Sequence, residues 1–99
     1  MEISVIPIGT CETSISRYVA KSEEPLAKAK SIKSEVTAMG TIIEAPSLRK
    51  LFDIAAKMHN KALSAGARRV FTSLTIDDRL DKKLSIKGKI KSLKNQIQA

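Results

Sequence analysis

A chain of 99 residues with 42% hydrophobic and 28% charged side chains reads as one small globular domain, neither disordered nor multidomain. One cysteine (Cys11) and one histidine (His59) exclude an intrachain disulfide, a cysteine metal cluster and a multi-histidine centre, so no metal and no cofactor is expected. The net charge of +8 raises nucleic acid as a partner, but Tyr18, Phe52 and Phe71 are too few for an aromatic base-stacking surface.

Residues Ile3 to Ile8 form an apolar, β-branched run closed by Gly9-Thr10, which predicts a strand and a turn. Ser14 to about Ser31 predicts a helix, with Ser14 as N-cap and Ile15, Val19 and Leu26 at helical spacing. Pro25 lies inside that pattern, so a kink or break is expected near Ser22 to Glu24. Ser34 to Met39 and Thr41 to Ala45 predict two strands joined by a tight hairpin at Gly40-Thr41. Pro46-Ser47 then opens a second helix, whose stripe is Leu48, Leu51, Phe52, Ala55, Met58 and Ala62 and whose stop is Gly66. Val70 to Ile76 alternates as a fourth strand. The charged segment "DDRLDKK" leads to a last helix with the stripe Ile86, Ile90, Leu93 and Ile97.

The order β-α-β-β-α-β plus a terminal helix predicts an α+β, ferredoxin-like sandwich with an antiparallel sheet. Residues 1–99 are expected to be a single such domain, with 82–99 a lysine-rich helical extension. That extension carries Lys82, Lys83, Lys87, Lys89, Lys91 and Lys94, and no acidic residue follows Asp81. It reads either as a solvated lysine face or as a nucleic-acid contact. No stretch spans a bilayer and no secretory signal pattern is visible, so a cytoplasmic location is expected and no membrane partner.

Helices cover one face of such a sheet and leave the other open. With a two-residue hairpin, Met39 would face Ile42 and Thr37 would face Glu44 on that open face. Strand four would add Phe71, Ser73 and Thr75, and strand one Ser4, Ile6 and Ile8. This mixture suits a subunit interface, a small-molecule pocket, or both. A carboxylate such as Glu44 placed there calls for a cation, from a neighbouring subunit or from a ligand.

"GTCETSIS" reads as an ordinary strand–turn–helix junction or as a ligand-binding turn, and it matches neither the phosphate-loop nor the dinucleotide glycine pattern. Asp77-Asp78-Arg79 reads as a structural charge cluster, and His59 as a packed or surface histidine on the second helix. Cys11 has no base near it in sequence to make it a nucleophile.

The segments "ISVIPIGTCETSISRYVA", "TAMGTIIEA" and "RRVFTSLTIDDRLDKK", followed by "IKGKIKS", resemble the small thiamine-binding protein family, from Ile3 to about Leu93. Its most specific parts here are Pro7-Ile8-Gly9-Thr10 with Ser14 and Ser16, then Met39-Gly40-Thr41 with Glu44, then Ile76-Asp77-Asp78-Arg79 with Gly88-Lys89. Cys11 departs from the glycine expected in "GTGETS", and Pro25 is unusual in the first helix. The resemblance implies a ferredoxin-like subunit in a homotetramer, a dimer of dimers, that binds thiamine or its hydroxymethylpyrimidine precursor without catalysis and sequesters or delivers it. Thiamine carries a permanent thiazolium charge and an aminopyrimidine. On that reading Glu44 balances the charge or accepts from the amine, and Thr10, Ser14, Ser16, Thr37 and Thr41 supply polar contacts. Met39 and Phe71 pack on a ring. The alternatives are a nucleic-acid-binding module acting through the lysine-rich helix, and a small dimeric ferredoxin-like enzyme.

Overall fold

The computed structural model describes residues 1–9, 15–81 and 83–98. In chain order the elements are β1 (Glu2–Ile8), α1 (Ser16–Lys28), β2 (Lys33–Val36), β3 (Thr41–Glu44), α2 (Leu48–Ser64), β4 (Arg69–Thr75) and α3 (Ile86–Gln98). The strands form one antiparallel sheet in the order β2-β3-β1-β4, the ferredoxin-like α+β arrangement expected from the sequence. Period-two alternation sorts the strand residues. Ile3, Val5 and Ile43 are buried beneath the helices, while Ser4, Ile6 and Phe71 lie on the opposite face.

α2 supplies most of the helical side of the core. Its stripe of Leu51, Ile54, Ala55, Met58 and Ala62 packs on Ile3, Val5 and Ile43. Each large side chain buried in this way contributes about 1.5–3 kcal/mol. The helix is well terminated. The Ser47 side chain accepts from the Lys50 N–H at 3.2 Å, and Gly66 adopts φ +115° while its N–H donates to the Leu63 carbonyl. His59 is part of this packing: its Nδ1 lies 2.7 Å from the Thr72 hydroxyl and ties α2 to β4.

Two local expectations are corrected. α1 runs unbroken through Pro25. The proline stands one turn from the helix end, where it removes a single intrahelical hydrogen bond, and that loss does not stop the helix. α1 ends at Lys28 rather than near Ser31, and Ser31 itself turns the chain toward β2 with φ +63°. The expected N-cap, Ser14, lies outside the described residues.

The β2–β3 connection is not a two-residue hairpin. Val36 pairs with Thr41, Glu35 with Ile42 and Lys33 with Glu44, so residues 37–40 form a four-residue loop. Thr37 organises it. Its hydroxyl donates to the Gly40 carbonyl at 2.7 Å and accepts from the N–H groups of Met39 and Gly40. The Thr37 N–H also donates to the Gly40 carbonyl at 2.8 Å, so side chain and backbone close the loop together.

α3 has no buried residue, and Leu93 and Ile97 on its apolar stripe are 61% and 73% exposed. Among the described residues no helix is long and apolar enough to cross a membrane.

Gly40 lies close against the β1 backbone. A Cβ added there would lie 2.9 Å from the Ile3 carbonyl oxygen, where only backbone movement can relieve it. Gly40→Ala is therefore expected to cost about 1–3 kcal/mol by forcing β3 away from β1. Urea unfolding of the two proteins measures this, and an unchanged midpoint would contradict it.

Candidate functional site

A groove of about 880 Å³ opens where the end of the sheet meets the first turns of α2 and α3. Ile42 and Glu44 reach it from β3, Leu48 and Leu51 from α2, and Ile86 and Ile90 from α3. The segment Ile76 to Arg79, which follows β4, lines it too. The apolar side chains offer ring-sized contact surface, and the charged groups are gathered among them.

Glu44 is the pivotal side chain. It is half-buried, and its Oε2 accepts a hydrogen bond from the Ile86 N–H at 3.3 Å. A carboxylate at the first turn of a helix answers both the unpaired amides and the positive end of the helix dipole. Ser85 caps the same turn, its Oγ accepting from the Gly88 N–H at 2.9 Å. A Cβ at Gly88 would sit 2.8 Å from that oxygen, so glycine is what allows the cap to close. Lys89, one turn further, is ion-paired with Asp77. Arg79 is ion-paired with Asp81. These contacts hold α3 against the groove although the helix buries nothing. The second oxygen of Glu44 has no partner among the described residues.

The structure separates the residues that sequence reasoning grouped as one site. Thr10 and Ser14 lie outside the described residues. Ser16 is exposed at the start of α1. Thr37 and Met39 belong to the hairpin loop, with the Thr37 hydroxyl committed to loop bonds and Met39 83% exposed. Thr41 points to the helix layer, is 3% exposed, and donates its hydroxyl to Glu23 of α1. Phe71 does lie on the open face, opposite Ile6, but far along the sheet from Glu44. Because Glu2 pairs with Ile42, Glu44 and Phe71 are six strand positions apart, about 20 Å at ~3.3 Å per residue. Of the six expected residues that are described, Glu44 alone lines the groove.

Sequence reasoning left several groove residues out. Asp77, Asp78 and Arg79 read from the sequence as a structural charge cluster tying down the tail; Asp77 pairs with Lys89 of α3, and all three line the groove. Lys33 reaches the same place because it pairs with Glu44 across the strands. The signal for the α3 end was the spacing of Ser85 and Gly88, a serine cap with a small residue three positions on. Among the described residues no cluster of three or more histidine, cysteine, aspartate or glutamate side chains is placed to hold a metal ion. A smaller cleft of about 360 Å³ lies between α1 and α2, beside Glu24 and Lys61, which are 3.5 Å apart, and contains none of the expected residues.

With this geometry in place, comparison with known proteins decides the family. Residues 1–94 match the family described as "Thiamine-binding protein". The chain belongs to this family. Among its relatives, a UPF0045 protein of Methanothermobacter thermautotrophicus is 43% identical, over 97% of this chain and 96% of the relative. The UPF0045 protein YqgV of Bacillus subtilis is 39% identical, over 98% and 95%. The crystal structure of the hypothetical protein MJ1052 from Methanocaldococcus jannaschii superposes with a TM-score of 0.85 at 36% identity, covering 94% of this chain and 92% of that one. The family and these relatives carry no catalytic name. They support a small binding protein and a small-molecule ligand.

The Asp77–Lys89 pair is the part of the α3 anchor whose carboxyl is shifted by its partner. The hydrogen bond from Lys89, then its charge, hold the Asp77 carboxyl below its ordinary value of 3.8. A carboxyl lowered by folding contributes fully above its ordinary value and loses that contribution as pH falls through the folded value. The amide resonances of Lys87 to Ile90 are therefore expected to titrate below pH 4 in the wild type. The same titration in Asp77→Asn should be flat, and an identical curve in both proteins would contradict the anchor.

Proposed function

We propose that the chain is a non-catalytic binding protein for thiamine or its hydroxymethylpyrimidine precursor, held in the groove between the sheet and α3. The observation that carries this reading is the position of Glu44, a half-buried carboxylate with one oxygen unpartnered among the described residues, beside the apolar side chains of Ile42 and Ile86. A flat, partly apolar ligand with a fixed positive charge and an exocyclic amine complements such a wall: its rings replace water on the aliphatic surface, and the carboxylate takes the amine or the thiazolium charge. The family description supports a thiamine-like ligand.

The reading extends to assembly. One chain leaves Ile6, Ile8 and Phe71 on the open sheet face and the α3 stripe uncovered. In a homotetramer, a dimer of dimers of single-domain subunits, these surfaces would be buried against further copies. The proposed setting is the cytoplasm, where the protein sequesters or hands over the vitamin or its precursor.

Isothermal titration with thiamine and hydroxymethylpyrimidine, wild type beside Glu44→Gln, tests the site. Glutamine keeps an acceptor for the Ile86 N–H but removes the charge. The expected loss in thiamine affinity is roughly ten- to a hundredfold, the usual worth of one hydrogen bond to a charged group. Light scattering on the same samples should return the mass of four chains. Equal affinity in the variant would remove Glu44 from the site. Binding to DNA that falls steeply with salt, without thiamine binding, would instead support a nucleic-acid role for the lysines of α3.

A further inference from the structure

The groove presents side chains of both charge signs, and this names the form of ligand it takes. Its lining includes three carboxylates, Glu44, Asp77 and Asp78, and four cationic side chains, Lys33, Arg79, Lys83 and Lys89. Two of the cations are already answered: Lys89 by Asp77 and Arg79 by Asp81. Glu44 is partly occupied by the α3 amide. Lys33 and Lys83 have no ion-pair partner among the described residues. Two ammonium groups without an ion pair among the described residues therefore share this space with one half-used carboxylate and Asp78.

We propose that the groove binds a phosphate ester of the thiamine-like ligand, with Lys33 and Lys83 meeting the phosphoryl oxygens while Glu44 meets the cationic or amino part. This rests on the reading of the groove as a thiamine-type site. A thiamine phosphate is a zwitterion, positive at the thiazolium and negative at the ester, and the groove presents both signs side by side. Lys33 and Glu44 are directly opposed on β2 and β3, which places their Cβ atoms about 5 Å apart on one face. A ligand with charges of both signs on a short linker spans such a pair. A bare thiazolium would meet Glu44 but give the two lysines no anion to bind. The volume also favours a longer ligand, since about 880 Å³ lies toward the upper end of small-molecule sites and leaves room beyond two rings. Lysine serves as a point charge for phosphate without fixed geometry, which fits two side chains reaching in from an edge strand and a loop.

The test is titration of the full chain with thiamine, thiamine monophosphate, hydroxymethylpyrimidine and its phosphate, for wild type and for the double variant Lys33→Met, Lys83→Met. The wild type should favour each phosphate ester over its parent by roughly tenfold or more, and the preference should shrink as salt rises. The double variant should bind ester and parent within about twofold of each other. Circular dichroism of the variant confirms that it is folded before it is titrated. Thiamine bound as tightly as its phosphate by wild type would overturn the inference and leave the thiamine reading standing. An ester preference that survives in the double variant would overturn the assignment to these lysines. Absence of binding to all four compounds would overturn the reading of the groove and the inference with it.

Discussion

The hydrogen bond from the Ile86 N–H to the Glu44 carboxylate is the constraint on which the rest of the site depends. It joins the last residue of β3 to the first residue of α3, 42 positions apart in sequence, and so closes one end of the sheet with a helix that has no core of its own. Without it, α3 would be held by the exposed Lys89–Asp77 pair and by weak apolar contact. Surface ion pairs of that kind stabilise little by themselves. A carboxylate at a helix start gains from several unpaired amides at once, which makes it a better anchor. The same group is then available to a ligand, so the feature that builds the groove also gives it its chemistry.

Much of the fold was legible because the physics of each element is local. The Ser47 cap, the stripe from Leu51 to Ala62 and the stop at Gly66 are all written within residues 47–66, and α2 forms as they direct. The alternation in Ile3–Ile8 and Val70–Thr75 places the core face without knowledge of the partner strand. The hairpin was less legible, because its register depends on how the Thr37 hydroxyl is spent. Once that side chain bonds Gly40, the loop takes four residues, and the pairing of Lys33 with Glu44 follows. Pro25 was misleading for a related reason: its cost depends on distance from the helix end, which the chain sets elsewhere.

The candidate site was legible only in part. Glu44 was found because a carboxylate on an otherwise mixed sheet face asks for a partner. Thr41 and Phe71 were grouped with it because spacing along a strand says nothing about which face a slipped register will show, nor how far apart two strands carry their ends. Thr41 serves instead as a pin between β3 and α1 through Glu23. Phe71 and Ile6 form an apolar patch at the other end of the sheet, the region that an oligomer would cover. The groove residues contributed by Ile86, Lys89 and Ile90 were hidden because they become neighbours only through the long-range bond to Glu44.

The proposed ligand site lies at the Glu44 end of the sheet. Isotope-filtered NOE spectroscopy of the labelled protein with unlabelled thiamine tests this directly. Contacts from the ligand rings to the methyl groups of Ile42, Ile86 and Ile90 are the predicted result. Contacts to Ile6 and Phe71 instead, with the groove methyls silent, would contradict it.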